Sequence, residues 1–484
     1  MYRSLLGALA TILLIVAIML ARAAMVDVPA SDVPAAAPIN IDGMNVARHL
    51  AEAVRFQTIS YGGKANEAEK NAALEAMRSW LATTYPKFHK AATREIMGES
   101  LLYTWKGTNP ALPPILLMAH MDVVPVVPGT EKDWEHQPFS GDIAGGYVWG
   151  RGSIDDKGSL IAILEAAERL AATGFTPERT VMIAVGQDEE LGGDGAMAKT
   201  LAARGVHFAW ALDEGGIIAD EPFPGVLKQA AFVAVAEKGY LSLELVAHGE
   251  GGHSSRPSRD MAVTRLAEAV LKVVHHPFRS GLDDIEREKL HILAPAMPFV
   301  PRLLLANLWI AEPIVLRLLA AQSDADARLH TTIAPTMLSA GVKDNVLPPV
   351  ARATINLRLN PRDTIDSAVE HVRGAIDDPK VDIDVLDETQ TEASKPADIN
   401  GASYKFLAKE IQASFGNIPV APDMTSGATD SRYYQPMADS VLRFVPFRFG
   451  PDDLGREHGT NERLAVGNLA PAVAFYMRLM RDTK

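Results

Sequence analysis

Residues 181–193 read VMIAVGQDEELGG, and the way this stretch ends decides how the chain is built. A short, wholly apolar run is the pattern of a strand buried on both faces. It stops on Asp188, Glu189 and Glu190, with no basic residue before Lys199, and then on two glycines. Alone, such a triplet reads as a solvated turn. The same punctuation recurs, however, at His120 and Asp122 in MAHMDVVPV, at Asp155 and Asp156 in WGRGSIDDKG, and at Asp213 and Glu214 in ALDEGG. Four segments ending on acid or imidazole are hard to assign to chance.

Outward from these segments the pattern alternates helices and short apolar strands. Residues 42–56 and 66–84 read as helices, and SLIAILEAAERLAATG is an amphipathic helix with Gly174 as its C-cap signal. Alternation of this kind predicts an α/β domain with a largely parallel sheet and flanking helices. Polar residues just past such strands fall where α/β sheets place their sites. From Glu237 the character changes: GYLSLELVAHG alternates with period two. A helix over 261–275, strands near 336–342 and 350–359, a helix near 363–376 and a strand near 381–387 follow. That order is β-α-β-β-α-β, so 237–392 is read as a smaller α+β domain inserted between segments 42–236 and 393–484 of the main domain.

Residues 276–335 do not fit the smaller domain and read as an extra insertion. Its segment PRLLLANLWIAEPIVLRLLAA is strongly apolar but broken by Arg302, Glu312, Pro313 and Arg317, too interrupted to span a membrane. A helical hairpin covering a core or a dimer contact is the expected reading, with a face for lipid or acyl chains as the alternative.

The totals narrow the function. The chain has 484 residues, long for one core, and is 48% hydrophobic and 22% charged, as a folded protein is. A formal net charge of −13 argues against nucleic acid as a partner. Cysteine is absent, so a metal would have to be held by His and carboxylates. At the N-terminus Arg3 precedes LLGALATILLIVAIML and Ala21-Arg22-Ala23, so residues 1–24 are expected to be a signal peptide or membrane anchor, followed by a Pro/Ala linker over 25–41. This points to a periplasmic, secreted or membrane-anchored protein.

Two histidines, His120 and His458 in GREHGTNE, with several carboxylates and no thiols, suit a hard or borderline divalent cation, zinc first. The motifs HMDVVP, GRGSIDDKG, DEELGG, LDEGG, GGHSS, SGATDSR and EHGTNE then occur in a fixed order. With them the chain resembles the di-zinc metallopeptidases that include aminoacylase, carnosinase, glutamate carboxypeptidase and carboxypeptidase S. The similarity runs from about residue 42 to the C-terminus, leaving out the insertion. It looks most like the branch of carboxypeptidase S and the secreted N-acyl amino acid hydrolases.

The resemblance implies a zinc-dependent exopeptidase fold with an inserted lid and dimerisation domain, and two Zn2+ per subunit bridged by Asp155. Co2+ or Mn2+ are chemically close substitutes. It implies His120 and Asp213 at one ion, Glu190 and His458 at the other, and a cis peptide between Asp155 and Asp156. Asp122, two residues after His120, suits the imidazole's other N–H. Glu189 would be the general base for water, which answers why two adjacent acids follow one strand. The resemblance makes His253 a donor to the carbonyl oxygen, acting from a partner subunit of a homodimer, with Asn345 as a second contact. Arg358 and Arg432 match positions associated with a substrate carboxylate, and Gly427 lends backbone N–H groups. The expected reaction is hydrolysis of an amide next to a free carboxylate, in short peptides or N-acyl amino acids. The alternatives are an aminopeptidase or dipeptidase on the same metals, and a zinc-binding module without catalysis.

Overall fold

The computed structural model describes all residues except 1, 27–32, 63–65, 194, 224–226, 387–389 and 484. Part of the expected linker therefore lies outside the described residues.

The opening stretch forms the strand Val181–Gly186 near the middle of the main sheet. It runs parallel to Ile115–His120, which in turn is parallel to Trp210–Asp213, and that strand is parallel to Val441–Arg443. Antiparallel strands flank this centre: Ser100–Trp105 on one side and Leu227–Glu237 on the other. Successive side chains of the opening strand enter different cores. Val181, Ile183 and Val185 join a core with Leu160, Ile161 and Leu164, while Met182 and Ala184 join one with Met118, Leu201 and Phe208. Both faces are buried, which is why the run is apolar without alternation. Each of the larger side chains contributes roughly 1.5–3 kcal/mol by this burial.

Helices Gly43–Val54, Lys157–Ala172 and Val466–Asp482 pack together on the first core. Because Ile115–His120, Val181–Gly186 and Trp210–Asp213 are mutually parallel, their carboxyl ends open on one edge of the sheet. That edge is where the acids and imidazoles gather.

A separate antiparallel sheet has the order Thr332–Ala340, Val350–Leu359, Gly239–His248, Val381–Val385. Leu241, Leu243 and Leu245 face helices Ala262–His275 and Ile365–Ile376 across its own core, and the residues between them are less buried. The chain order of these elements is β-α-β-β-α-β. Thr332–Ala340 begins earlier than the expected strand and forms the edge, exposed from Ala334 to Ala340.

The insertion folds as helices Asp284–Leu293, Phe299–Leu305, Leu308–Leu319 and Ser323–Leu329. The second and third meet at a bend of 116°. One side of this unit covers a small core of Leu282, Leu290, Val315 and Leu329. Its other side is in water, so the expected covering hairpin is only half realised. The N-terminal segment is one continuous helix, Tyr2–Met25, extending past the expected apolar run at both ends.

Candidate active site

Five loops bring the donors together. His120 is the last residue of its strand, and Asp155 and Asp156 follow in the turn before the helix Lys157–Ala172. Glu189 and Glu190 begin a 3-10 turn, and Glu214 follows the strand Trp210–Asp213. His458 arrives from a loop far later in the chain, in a left-handed backbone conformation with φ 58°.

Asp155 is the centre. One of its oxygens lies 2.9 Å from His120 Nε2 and the other 2.9 Å from His458 Nε2. His458 Nε2 also stands 3.2 Å from Glu190 Oε2, and His120 Nε2 stands 3.3 Å from Glu214 Oε1. Donor atoms of His120, Asp155 and Glu190 lie within 4.8 Å of one another, and so do those of His120, Asp156 and Glu214. Both carboxylate oxygens of Asp156 are buried with no hydrogen-bond partner among the described residues. The Asp155–Asp156 peptide is cis.

The charges are out of balance. Burial pushes Glu189 and Glu214 well above the usual carboxylate range, against the pull of His120; for Glu189 the neighbouring Asp430, Asp155 and Glu190 add to it. Asp155 is the exception: burial opposes its charge, but the imidazoles of His120 and His458 outweigh it and hold its carboxyl low. In return Asp155 and Glu190 raise His458 to about 10. Five clustered acids share two imidazoles, so the pocket is short of positive charge. A buried, unpartnered carboxylate and a second one spanning two imidazoles fit divalent cations well.

Surrounding groups hold the donors in place. His120 Nδ1 is 3.0 Å from the Asp122 carbonyl oxygen and 3.5 Å from its carboxylate. The Asp122 carboxylate accepts from Ser60 Oγ at 2.6 Å and from the Glu190 N–H at 3.3 Å. Arg151 Nη1 pairs with Glu462 Oε2 at 2.5 Å, both buried, and its Nη2 donates to the His458 carbonyl at 2.9 Å. Glu462 Oε1 accepts from the N–H groups of Ile154 and Asp155 at 2.9 and 3.3 Å. This pair ties the Asp155 turn to the His458 loop, and nothing in the sequence reading singled it out. Its signal was the acid closing EHGTNE, matched to the arginine in GRGSIDDKG.

One expected donor, Asp213, stands apart from the carboxylates grouped around Asp155. Asp213 is still within the sheet, paired with Arg443, and its carboxylate accepts from the Ser431 N–H at 2.9 Å. It lines a cavity of about 290 Å³ whose other walls include His120, Glu189, Asp188 and Asp430. Glu214, one residue on, turns the other way and stands at His120 in its stead.

Glu189, Glu190, Glu214, Asp155, His458 and Gly427 line a single cavity of about 820 Å³. The expected substrate residues are more scattered. Arg432 donates to the Gly192 carbonyl, just past Glu190, and lies over the Tyr433 ring at 4.6 Å. Arg358 stacks on Tyr240 at 4.7 Å, and burial foremost, with the charge of Arg432 adding, depresses its pKa. Lys238, likewise depressed to about 8 by burial and by Arg358, donates to the carbonyls of Ala327 and His330. His253 and Asn345 are not brought to the cluster. They sit on the exposed ribbon of Gly252–His253 and Val346–Leu347, where the Ser254 N–H donates to the Asn345 carbonyl at 3.2 Å.

Imidazoles and acids at the carboxyl ends of an α/β sheet, arranged about one shared carboxylate, are the site of a metal-dependent hydrolase. The chain belongs to peptidase family M20/M25/M40, whose profile matches residues 116–482. It is 37% identical over 457 residues to probable carboxypeptidase S-like 2 of Dictyostelium discoideum, covering 92% of this chain and 86% of that protein. It is 34% identical over 443 residues to the Homo sapiens N-fatty-acyl-amino acid synthase/hydrolase PM20D1, covering 90% and 86%. Among solved structures, the M20 family metallo-carboxypeptidase Sso-CP2 from Sulfolobus solfataricus shares the fold, with a TM-score of 0.66 at 16% identity over 91% of this chain and 99% of that one.

Proposed function

We propose that this protein hydrolyses an amide bond adjacent to a free carboxylate, in N-acyl amino acids or at the C-terminus of short peptides. The observation that carries the reading is the Asp155 carboxylate, with one oxygen 2.9 Å from each of two imidazoles. Two zinc ions would be held there, by His120, Glu214 and Asp155 on one side and by Asp155, Glu190 and His458 on the other. When bound, they polarise the amide carbonyl and bring the pKa of water towards neutrality.

The remaining work falls to the chain. Glu189 takes the proton from the attacking water and returns it to the leaving nitrogen, and its burial suits a carboxyl that must exchange a proton near neutral pH. Asp122 fixes the His120 tautomer. Arg358 and Arg432, close enough to repel one another, bind the substrate carboxylate, and Gly427 offers its backbone N–H. The exposed edge strand Thr332–Ala340 pairs with a second copy of the chain, and the homodimer carries His253 and Asn345 to the carbonyl oxygen of the other active site. The N-terminal helix directs the protein out of the cytoplasm or tethers it to the membrane.

The test is hydrolysis by the zinc-loaded protein of N-acyl amino acids, their methyl esters, and dipeptides with free or blocked amines. Turnover that needs metal and the free carboxylate is the expected result. Cleavage restricted to free-amine peptides would move the protein to the aminopeptidase or dipeptidase class, and metal binding without turnover to a binding module.

A further inference from the structure

The insertion gives the carboxylate cluster no donor, yet it leaves large apolar side chains in water. Phe299, Val300, Trp309, Ile310, Ile314 and Leu318 are between 42% and 65% exposed. On the helix Leu308–Leu319 they fall at four-residue spacing, 310, 314 and 318, which is one face of a helix. Ala311 and Val315, on the adjoining flank of the same helix, are buried against the body.

The N-terminal helix meets the same unit. Ser4–Met25 is long and apolar enough to cross a membrane, and its large apolar side chains, Leu5, Leu9, Ile12, Leu13 and Val16 among them, stand exposed. Its last turns rest on the bend between the two insertion helices. Arg22 Nε donates to the Ala306 carbonyl at 3.1 Å, and Asn307 Nδ2 donates to the Met19 carbonyl at 3.1 Å. With this helix across a bilayer, its body-side end lies at the lipid surface, and the bend Ala306–Asn307 lies there with it. The exposed row starts at Ile310, three residues beyond the bend. Trp309 and Arg317, both exposed, are residue types that sit well among headgroups.

We infer that the helices Phe299–Leu305 and Leu308–Leu319 form a membrane-docking face, seated in the leaflet that the N-terminal helix enters. A second consequence rests on the hydrolase reading. The cavity that holds Glu189 and His458 is lined at another part by Leu290, Leu293 and Leu319, and Leu319 adjoins the exposed Leu318. An amphiphile dissolved in the leaflet enters by that leucine-lined part, its polar end reaching the carboxylates. The face is a lipid-contacting platform and not a second span, since its two helices are bent at 116°.

The absence of cysteine makes the test direct. Single-cysteine variants Ile12→Cys, Ile314→Cys and Ile96→Cys of the full chain are labelled with a polarity-sensitive dye. Each is reconstituted into phosphatidylcholine vesicles containing a shallow spin-labelled lipid. Ile96 is 51% exposed on the edge of the main sheet and serves as the reference. Quenching at positions 12 and 314 but not at 96 is expected. Quenching at 12 alone, at none, or equally at 96 and 314 overturns the docking face, and burial of the 314 label without lipid quenching points to a second protein copy instead. For delivery, Trp309→Asp with Ile314→Asp should lower kcat/KM about tenfold for a long-chain N-acyl amino acid in vesicles and leave a soluble N-acetyl amino acid unchanged. An equal loss on both overturns delivery. If the parent hydrolyses neither, the hydrolase reading fails, and the labels still decide the docking face.

Discussion

The imidazoles of His120 and His253 stand in comparable motifs, yet their surroundings are unlike. His120 is buried, and its two nitrogens are occupied by Asp122 on one side and by Asp155 and Glu214 on the other. His253 lies exposed, and its Nδ1 accepts from the N–H of Ser255 at 3.1 Å and meets that serine's hydroxyl at 2.8 Å. One group is finished within a single chain; the other waits for something outside it. The contrast separates what this chain holds in place by itself from what the proposed dimer would have to supply.

That division can be broken at several points. The largest effect is expected from Glu189→Gln, which removes a proton carrier without removing a donor to metal. Its kcat should fall by about 10²–10⁴-fold while metal content per chain, read by elemental analysis, stays unchanged. Unaltered turnover would take Glu189 out of the base role. His253→Ala should lower kcat by about 10²-fold with metal retained. The sharper version mixes His253→Ala with Glu189→Gln protein: if His253 acts across a dimer, some mixed dimers regain one intact site and activity returns above either parent. No recovery on mixing would put His253 in its own chain's site.

The neighbouring acids Asp213 and Glu214 offer a finer cut. Glu214→Ala should weaken metal binding, measured by competition with a chelator, by about 10–100-fold. Asp213→Asn should leave the metals in place and lower Tm, because its partner is the Ser431 N–H. The reverse pattern would restore Asp213 as the donor. The smallest effect is that of Arg358→Ala, an approximately tenfold rise in KM for carboxylate substrates with little change in kcat, and no change at all for their esters.

Much of this was legible because strands buried on both faces announce themselves as unbroken apolar runs, and the residue that ends the run is then exposed to inspection. His120 and Glu190 were singled out this way, and the β-α-β-β-α-β order followed from the change of period at Gly239–His248. Asp213 is where that reading and the geometry part. Adjacent residues at a strand end point to opposite sides, and spacing alone does not say which side faces the other donors. The strand lasts through Asp213, so it is Glu214 that turns towards His120. The Arg151–Glu462 pair escaped because its members are 311 positions apart and neither looks unusual alone. The exposed insertion face was hidden too, since an apolar helix in sequence does not disclose which of its sides the body covers.

The contact between Asp155 and His458 joins residues 303 positions apart. A ribosome that has finished the smaller sheet has already made His120, Asp155, Glu190 and Glu214, but not the imidazole that closes the set. Loop closure over that span comes late, whatever the speed of the local elements. The nascent polypeptide is therefore an incomplete chelator through most of its synthesis. Tight capture of metal, and with it any hydrolytic hazard to the cell that makes the chain, is deferred at least to the final stretch of translation.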